Sequence, residues 1–166
     1  MFALNRALIA LAICAAALVA SLPVSAAATF EYEATYIEPF GGCAPGTSCG
    51  TANISHIGHS ENQVVVFNAC GFGCHIRTVT FDDGSTLVIR IEDQPSGFAF
   101  TSPGNSGSHG SICFPGLTGN PQFLDINETI VGGTGRLAGA TGGGSGRVAV
   151  HACIAIGKTS GTISLP

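Results

Sequence analysis

The chain has 166 residues, of which 10% are charged, and its formal net charge is −4 at pH 7. This acidic balance argues against nucleic acid or an anionic membrane surface as a partner, because both require a basic patch. After the N-terminal segment, no apolar 3.6-residue period runs for three turns and glycine is abundant, which excludes a helical domain.

The N-terminal segment has the three parts of a secretory signal peptide. Arg6 supplies the positive charge, residues 7–22 form an apolar run, and Pro23 is followed by small residues. We predict a signal peptide over residues 1–26, with cleavage after Ala26 or Ala28. A retained membrane anchor is disfavoured because the run ends at a proline beside small residues. The sequence thus predicts a secreted or periplasmic protein without a stable membrane anchor, and a single domain over residues 27–166.

Short alternating or β-branched runs between turn signals predict an all-β domain of about eight strands, as in a barrel or sandwich. Asp83-Gly84 between two such runs predicts a hairpin. Alternation predicts one shared face for Phe30, Tyr32, Ala34 and Tyr36 in the first run, and one for Leu87, Ile89 and Ile91 in the second arm of the hairpin, with one face of that arm in the core. In the run from Arg147 to Ile156, alternation predicts one face for Val148, Val150, Ala152, Ile154 and Ile156. Residues 94–110 are predicted to form a long loop. The predicted strands cover residues 30–36, 51–57, 63–68, 75–81, 85–92, 123–131, 147–156 and 159–165.

Six cysteines remain after the signal, and an even number in an exported chain predicts disulfides. Six cysteines allow 15 connectivities. Turn-rich loops favour pairing Cys43 with Cys49 and Cys70 with Cys74, which leaves Cys113 with Cys153. Exchanged partners among the first four cysteines are the main alternative.

The glycine-rich segment 131–147 contains Gly133-Thr134-Gly135-Arg136-Leu137-Ala138, which fits the G-x-G-x-x-A pattern of dinucleotide-binding loops. That pattern requires a helix starting inside the motif and an acidic residue about 20 positions later. Gly142-Gly143-Gly144 interrupts any helix, and no acidic residue follows Glu128. We therefore interpret these glycines as positions of tight bends and close strand approach at a barrel corner.

Residues 130–142 resemble the G-G-T-G-x-F-x-G-A-x-G signature of dirigent and allene oxide cyclase proteins, with Leu137 at the aromatic position. They are more similar to small exported bacterial proteins with that domain, whose G-x-A-x-x-x-H-x-G and D-G-x-x-L elements residues 50–58 and 83–87 also resemble. The resemblance implies a closed antiparallel barrel of about eight strands around a cavity for an apolar small molecule. It also implies a cyclisation or coupling activity, but no catalytic residue can be carried over to this chain.

Polar side chains on two predicted strands are candidates for lining such a cavity. Arg90 and Glu92 lie on the polar face of one strand, and Asp125 and Asn127 share a face of another. The alternative is that these four side chains form a solvated outer face.

Two histidines and a cysteine-rich segment offer nitrogen and sulfur for zinc, namely residues 56–59 and 70–75. We favour disulfides and ordinary polar histidines, because exported cysteines are usually oxidised. The sequence predicts neither a metal nor a cofactor. Two functions remain open: a barrel that binds a small apolar molecule or is filled by its own side chains in a structural role, and a cyclase or dirigent-type enzyme.

Overall fold

The computed structural model of the protein describes residues 27–39, 43–94, 122–151 and 154–166. Within them, eight antiparallel strands form a closed barrel in which each strand pairs with its neighbours in the chain and β8 pairs with β1. This confirms the predicted barrel. The strands are β1 Ala28–Pro39, β2 Thr47–Ile54, β3 Gly58–Gly71, β4 Cys74–Thr80, β5 Thr86–Asp93, β6 Gln122–Gly133, β7 Thr141–His151 and β8 Ile154–Leu165.

Strand alternation fills the barrel interior with apolar side chains. On β1, Tyr32, Ala34 and Tyr36 are buried, whereas Glu31 and Glu33, which flank Tyr32, are exposed. On β5, the buried residues are Leu87, Ile89 and Ile91. Each fully buried large side chain contributes about 1.5 to 3 kcal/mol relative to an exposed one. The faces predicted for these two strands are therefore correct, and they define the core.

The predicted strand from Arg147 to Ile156 is wrong, because the chain reverses direction within it. Strand β7 ends at His151 and β8 begins at Ile154, and Val150 pairs with Ala155 across the two strands. As a result Ile156 faces outward and is 39% exposed. The predicted strand over residues 159–165 is the second half of β8.

Strand β7 contains four of the glycines that the sequence assigned to a corner, Gly142, Gly143, Gly144 and Gly146. A Cβ added at Gly146 would lie 2.0 Å from the Lys158 carbonyl oxygen, and one added at Gly161 would lie 2.1 Å from the Gly143 carbonyl oxygen. The backbones of β7 and β8 thus approach more closely than side chains would allow. The predicted close strand approach is correct, and it lies between β7 and β8, two neighbouring strands of the closed ring.

The G-G-T-G segment caps one end of the barrel. Its short 3-10 helix, Gly135–Leu137, buries Leu137 completely in the core cluster. Arg136 donates from Nε to Asp83 Oδ2 at 2.8 Å and from Nη2 to the Ile57 carbonyl oxygen at 3.0 Å, with its guanidinium 5.0 Å from the Phe81 ring centre. This end, which we call the capped end, is therefore closed by contacts among three connections, those between β2 and β3, β4 and β5, and β6 and β7.

At the capped end, the hydrogen bonds of Asp83 predict a contribution to stability that is lost in acid. Hydrogen bonds from the hydroxyl and the backbone N–H of Ser85, with help from Arg136, lower the pKa of Asp83 to about 2. Because this folded pKa lies below the unfolded value of about 4, the contribution of Asp83 is full above pH 4 and is lost as the pH falls towards 2.

We expect Asp83→Asn to have a lower urea midpoint than the wild type at pH 6, and the difference to shrink between pH 4 and 2. Circular dichroism during urea unfolding measures both midpoints. A difference that stays constant from pH 6 to pH 2 would contradict the role given to the Asp83 carboxylate.

Two of the three predicted disulfides lie in the described residues and are confirmed. Cys43 is bonded to Cys49, and Cys70 is bonded to Cys74 across the turn between β3 and β4. The third prediction, Cys113 with Cys153, lies outside the described residues. The predicted signal peptide and all of the predicted 94–110 loop except Gln94 also lie outside them.

Candidate ligand-binding site

Polar side chains enter the barrel interior from six different strands. Each occupies an inward position in the alternation of its strand, and Arg77, Glu128 and Glu38 are only 2%, 3% and 7% exposed. Together with two buried tyrosines, they form what we call the inner polar cluster. Its members are Tyr32, Tyr36, Glu38, Ser48, Gln63, Arg77, Glu128 and Thr159.

Arg77 lies at the centre of this cluster, between two carboxylates. Its Nη2 donates to Glu38 Oε1 at 2.9 Å, and its Nη1 donates to Glu128 Oε1 at 2.5 Å. Burial alone would lower the pKa of Arg77, but the charges of the carboxylates raise it above its ordinary value. The guanidinium is therefore a permanent buried cation.

The carboxylates receive further hydrogen bonds. Ser48 donates to Glu38 Oε2 and the Gln63 amide donates to Glu38 Oε1, both at 3.1 Å. The Tyr32 hydroxyl donates to Glu128 Oε2 at 3.2 Å. All four carboxylate oxygens thus have donors, which offsets part of the cost of burying their charge.

Tyr36 forms one wall of the cluster. The Arg77 guanidinium carbon lies 3.5 Å from the centre of the Tyr36 ring, within the range of a cation–π contact. Burial raises the pKa of Tyr36 well above the ordinary tyrosine value, and the nearby charge of Glu128 raises it further. The same two causes, in the same order, raise the pKa of Tyr32. Both phenols therefore remain protonated at physiological pH.

Four buried atoms of the cluster have no hydrogen-bond partner among the described residues. They are the Tyr36 hydroxyl, Gln63 Oε1, Arg77 Nε and Thr159 Oγ1. Thr159 and Arg77 are near enough to lower the pKa of Tyr36, and Thr159 that of Tyr32, yet the Tyr36 hydroxyl, Arg77 Nε and Thr159 Oγ1 have no partner in hydrogen-bonding geometry. Leaving such a group unpaired typically costs about 1 to 3 kcal/mol. These atoms come from β1, β3, β4 and β8, and each is a hydrogen-bonding group for a molecule that enters the barrel interior.

The four residues that the sequence suggested for the cavity lie elsewhere. Arg90 and Asn127 are exposed, and the side chains of Glu92 and Asp125 are 42% and 38% exposed. Arg90 forms an ion pair with Glu92 along the outside of β5, and Arg147 donates to Asp125 at 2.6 Å. They occupy the outward positions of their strands because Ile91 and Ile126, next to them, face the core.

A weak sequence signal does mark the inward polar residues. Glu38 is the next inward position after Tyr32, Ala34 and Tyr36, and Glu128 lies between Ile126 and Ile130 on the apolar face of β6. A single charged residue on an apolar face is the feature that sequence reasoning missed. Nothing in the local sequence of any one strand brings Glu38 and Glu128 to the same guanidinium.

The histidines suggested for zinc have other partners. Cys70 and Cys74 are bonded to each other, and His75 accepts a hydrogen bond from the Asn68 N–H at Nδ1 while its Nε2 lies 3.2 Å from Asp93. His56 packs against a phenylalanine ring, and His59 pairs with Glu61 at 2.6 Å. The structure does not bring His56 and His59 together with the cysteine-rich turn in one site.

A concave surface lies on the outside of the barrel. It is an open groove of about 650 Å³ where β1 meets β8 and the turn after β2. It is lined by Glu31, Tyr32, Glu33, Ser55, His56, Ser160, Gly161 and Thr162. We call it the outer groove, and it is the alternative to the interior as a binding site.

Comparison with known proteins gives no match: no family model, no curated protein and no solved structure is similar to this chain at a significant level. No helix among the described residues is long and apolar enough to cross a membrane.

Proposed function

We propose that this protein is an exported β-barrel that binds a small, largely apolar molecule in its interior, against the inner polar cluster. The observation that carries the proposal is the set of four unpartnered polar atoms on the inner wall. An eight-stranded barrel is wide enough either to be filled by side chains or to hold one small ligand.

The energetics of the cluster support binding over a purely structural role. Replacing a buried ion network with apolar side chains of similar volume is often neutral or stabilising. A barrel that served only as a scaffold would therefore gain little from Arg77 and its two carboxylates. A site that orients a ligand requires such fixed polar groups within an apolar wall.

Export is supported by two features. The disulfides Cys43–Cys49 and Cys70–Cys74 are of a kind that persists in oxidising compartments. The N-terminal residues have the pattern of a cleavable signal peptide. The resemblance of residues 130–142 to dirigent and allene oxide cyclase proteins agrees with a ligand inside the barrel.

The test is saturable binding of a neutral apolar probe, N-phenyl-1-naphthylamine, to protein secreted from the full-length chain. Ala155 faces inward and pairs with Glu38 across β1 and β8, so Ala155→Leu adds bulk beside the cluster. We expect Ala155→Leu to weaken binding at least about tenfold, which is the effect of losing about 1.4 kcal/mol of contact.

Lys158→Leu makes a comparable change on the outer face of β8 and serves as the control, with unchanged binding expected. Circular dichroism confirms that both variants fold. If the wild type binds neither this probe nor any member of a panel of lipids and phenolics, the interior is filled by side chains and the proposal fails.

A cyclase or dirigent-type activity is the second candidate. The four side chains first suggested for it lie on the outer surface, but Glu128 and Tyr32 form a buried carboxylate–phenol pair at 3.2 Å. Such a pair can exchange a proton with a bound substrate. Glu128→Gln keeps the shape of the side chain and removes the base. The enzyme hypothesis predicts that this variant still binds ligand but no longer converts it.

A further inference from the structure

The unpartnered atoms also indicate which kind of molecule fits the inner polar cluster. Arg77 Nε can only donate a hydrogen bond, the hydroxyls of Tyr36 and Thr159 can donate or accept one, and Gln63 Oε1 can only accept one. Three of the four atoms can donate and three can accept, so the two hydroxyls do not distinguish between ligand groups. Arg77 Nε does, because it belongs to a charged group, and hydrogen bonds to charged groups are stronger than neutral ones. A ligand group that accepts from Arg77 Nε is therefore favoured over one that donates to Gln63 Oε1.

The charges already present restrict the ligand further. Two carboxylates face one guanidinium, and Arg77 uses Nη1 and Nη2 to bind them. An anionic ligand would bring a third negative group into a buried space, where repulsion and desolvation both oppose it.

A cationic ligand is opposed for a different reason. An ammonium group needs acceptors, but every oxygen of Glu38 and Glu128 already has a donor from the protein. The unpartnered acceptors among the described residues of the cluster are Gln63 Oε1 and the hydroxyl oxygens of Tyr36 and Thr159, all of them neutral. The positive charge would therefore exchange its water shell for neutral acceptors beside the cation Arg77.

The rest of the interior favours a ligand whose main part is apolar. In the register, Arg77 pairs with Ile89 and Glu128 pairs with Ile91, and both isoleucines are buried on the same inner wall. A ligand that reaches the cluster therefore also meets aliphatic side chains.

On the basis of the proposed function, we infer that the ligand is a neutral, largely apolar molecule that presents an acceptor oxygen, such as a ketone or ether oxygen, to Arg77 Nε, Tyr36 and Thr159. An additional hydroxyl on the ligand would donate to Gln63 Oε1. Carboxylic acids and amines of the same skeleton bind more weakly.

A set of naphthalenes with one differing substituent tests this inference. The probes are 2-acetylnaphthalene, 2-isopropylnaphthalene, 2-naphthoic acid and 2-(aminomethyl)naphthalene, each measured at pH 7 by displacement of N-phenyl-1-naphthylamine. We expect the ketone to bind about tenfold more tightly than the hydrocarbon, since about 1.4 kcal/mol of hydrogen bonding is a factor of ten. The acid and the amine should bind more weakly than the ketone by at least the same factor.

Matched variants show whether the ketone binds at the inner polar cluster or in the outer groove. Thr159→Val and Tyr36→Phe each remove one unpartnered hydroxyl and keep the shape of the side chain. Both should weaken ketone binding about three- to tenfold and leave hydrocarbon binding unchanged. Thr162→Val makes the same exchange on the outer face of β8, in the outer groove, and should change neither.

The outcomes separate the inference from the proposed function. Equal affinities for ketone and hydrocarbon, or tighter binding of the acid or amine, would overturn the ligand class while leaving interior binding in place. If Thr162→Val weakens ketone binding and the two inner variants do not, the site is the outer groove, and the inference fails. If no naphthalene binds and no panel compound does either, the proposed function itself is wrong.

Discussion

Replacing Arg77 with methionine should lower the free energy of unfolding by about 3 to 5 kcal/mol, the usual cost of removing one partner from a buried ion network. Arg77 is 2% exposed and binds Glu38 and Glu128 with separate nitrogens. Without it, two carboxylates remain inside the barrel with no cation. Urea unfolding at pH 7 without reductant, followed by circular dichroism, measures the loss.

A triple variant is the matched control. Combining Arg77→Met with Glu38→Gln and Glu128→Gln removes the stranded charges, and we expect it to recover most of the lost stability, because neutral replacements of a buried ion network are often tolerated. Stability of Arg77→Met within about 1 kcal/mol of the wild type would contradict a central, buried position for this guanidinium. It would also remove the physical basis of the inner polar cluster.

Gly161→Ala should destabilise the barrel by about 3 kcal/mol or more, at the upper end of the cost of overpacking. The new Cβ would lie 2.1 Å from the Gly143 carbonyl oxygen and 2.5 Å from the Gly144 Cα. Both are backbone atoms, so relief requires β7 and β8 to separate. This pair of strands is part of the closed ring, and no free edge can absorb the movement.

Gly157→Ala is the control on the same strand and the same face. There the nearest atom to an added Cβ is Tyr36 Cδ2 at 3.4 Å, an ordinary contact, and we expect a change of less than about 1 kcal/mol. Thermal and urea unfolding of the two variants provide the comparison. Equal stability of Gly161→Ala and Gly157→Ala would show that β7 and β8 are not in close backbone contact.

Most of the fold could be predicted, because most of its strands and turns have a signal in their local sequence. Alternation on β1 and β5 predicted the inward face correctly, Asp83-Gly84 predicted a hairpin, and the two short cysteine spacings predicted their disulfides. Each of these signals lies within about ten residues of sequence.

Two features of the fold carry no local signal. The reversal between β7 and β8 falls in His151-Ala152-Cys153-Ile154, which has no glycine, proline, asparagine or aspartate to mark a turn. The glycines of β7 have low strand propensity and suggest a loop, whereas their role depends on how close β8 lies. Only the tertiary arrangement determines both.

The candidate site was harder to predict for a related reason. Sequence reasoning favoured strands on which several polar residues share a face, and those faces are solvated. The inner polar cluster instead takes isolated polar residues from separate strands, among them Glu38 of β1, Arg77 of β4 and Glu128 of β6. Glu38 and Glu128 lie 39 and 51 positions from Arg77 in the sequence, so only closure of the barrel brings the three side chains together.

The most direct test of ligand binding at the inner polar cluster is the nuclear magnetic resonance signal of the Arg77 Nε–H group, assigned in ¹⁵N-labelled protein produced from the full-length chain. Arg77 Nε is buried and unpartnered, whereas the side chains of Arg90 and Arg147 are 45% and 62% exposed. We predict that adding 2-acetylnaphthalene shifts the Arg77 Nε–H signal and leaves the signals of the two exposed arginines in place. An unchanged Arg77 signal, with shifts confined to the backbone amides of Glu31 and Glu33 in the outer groove, would contradict it.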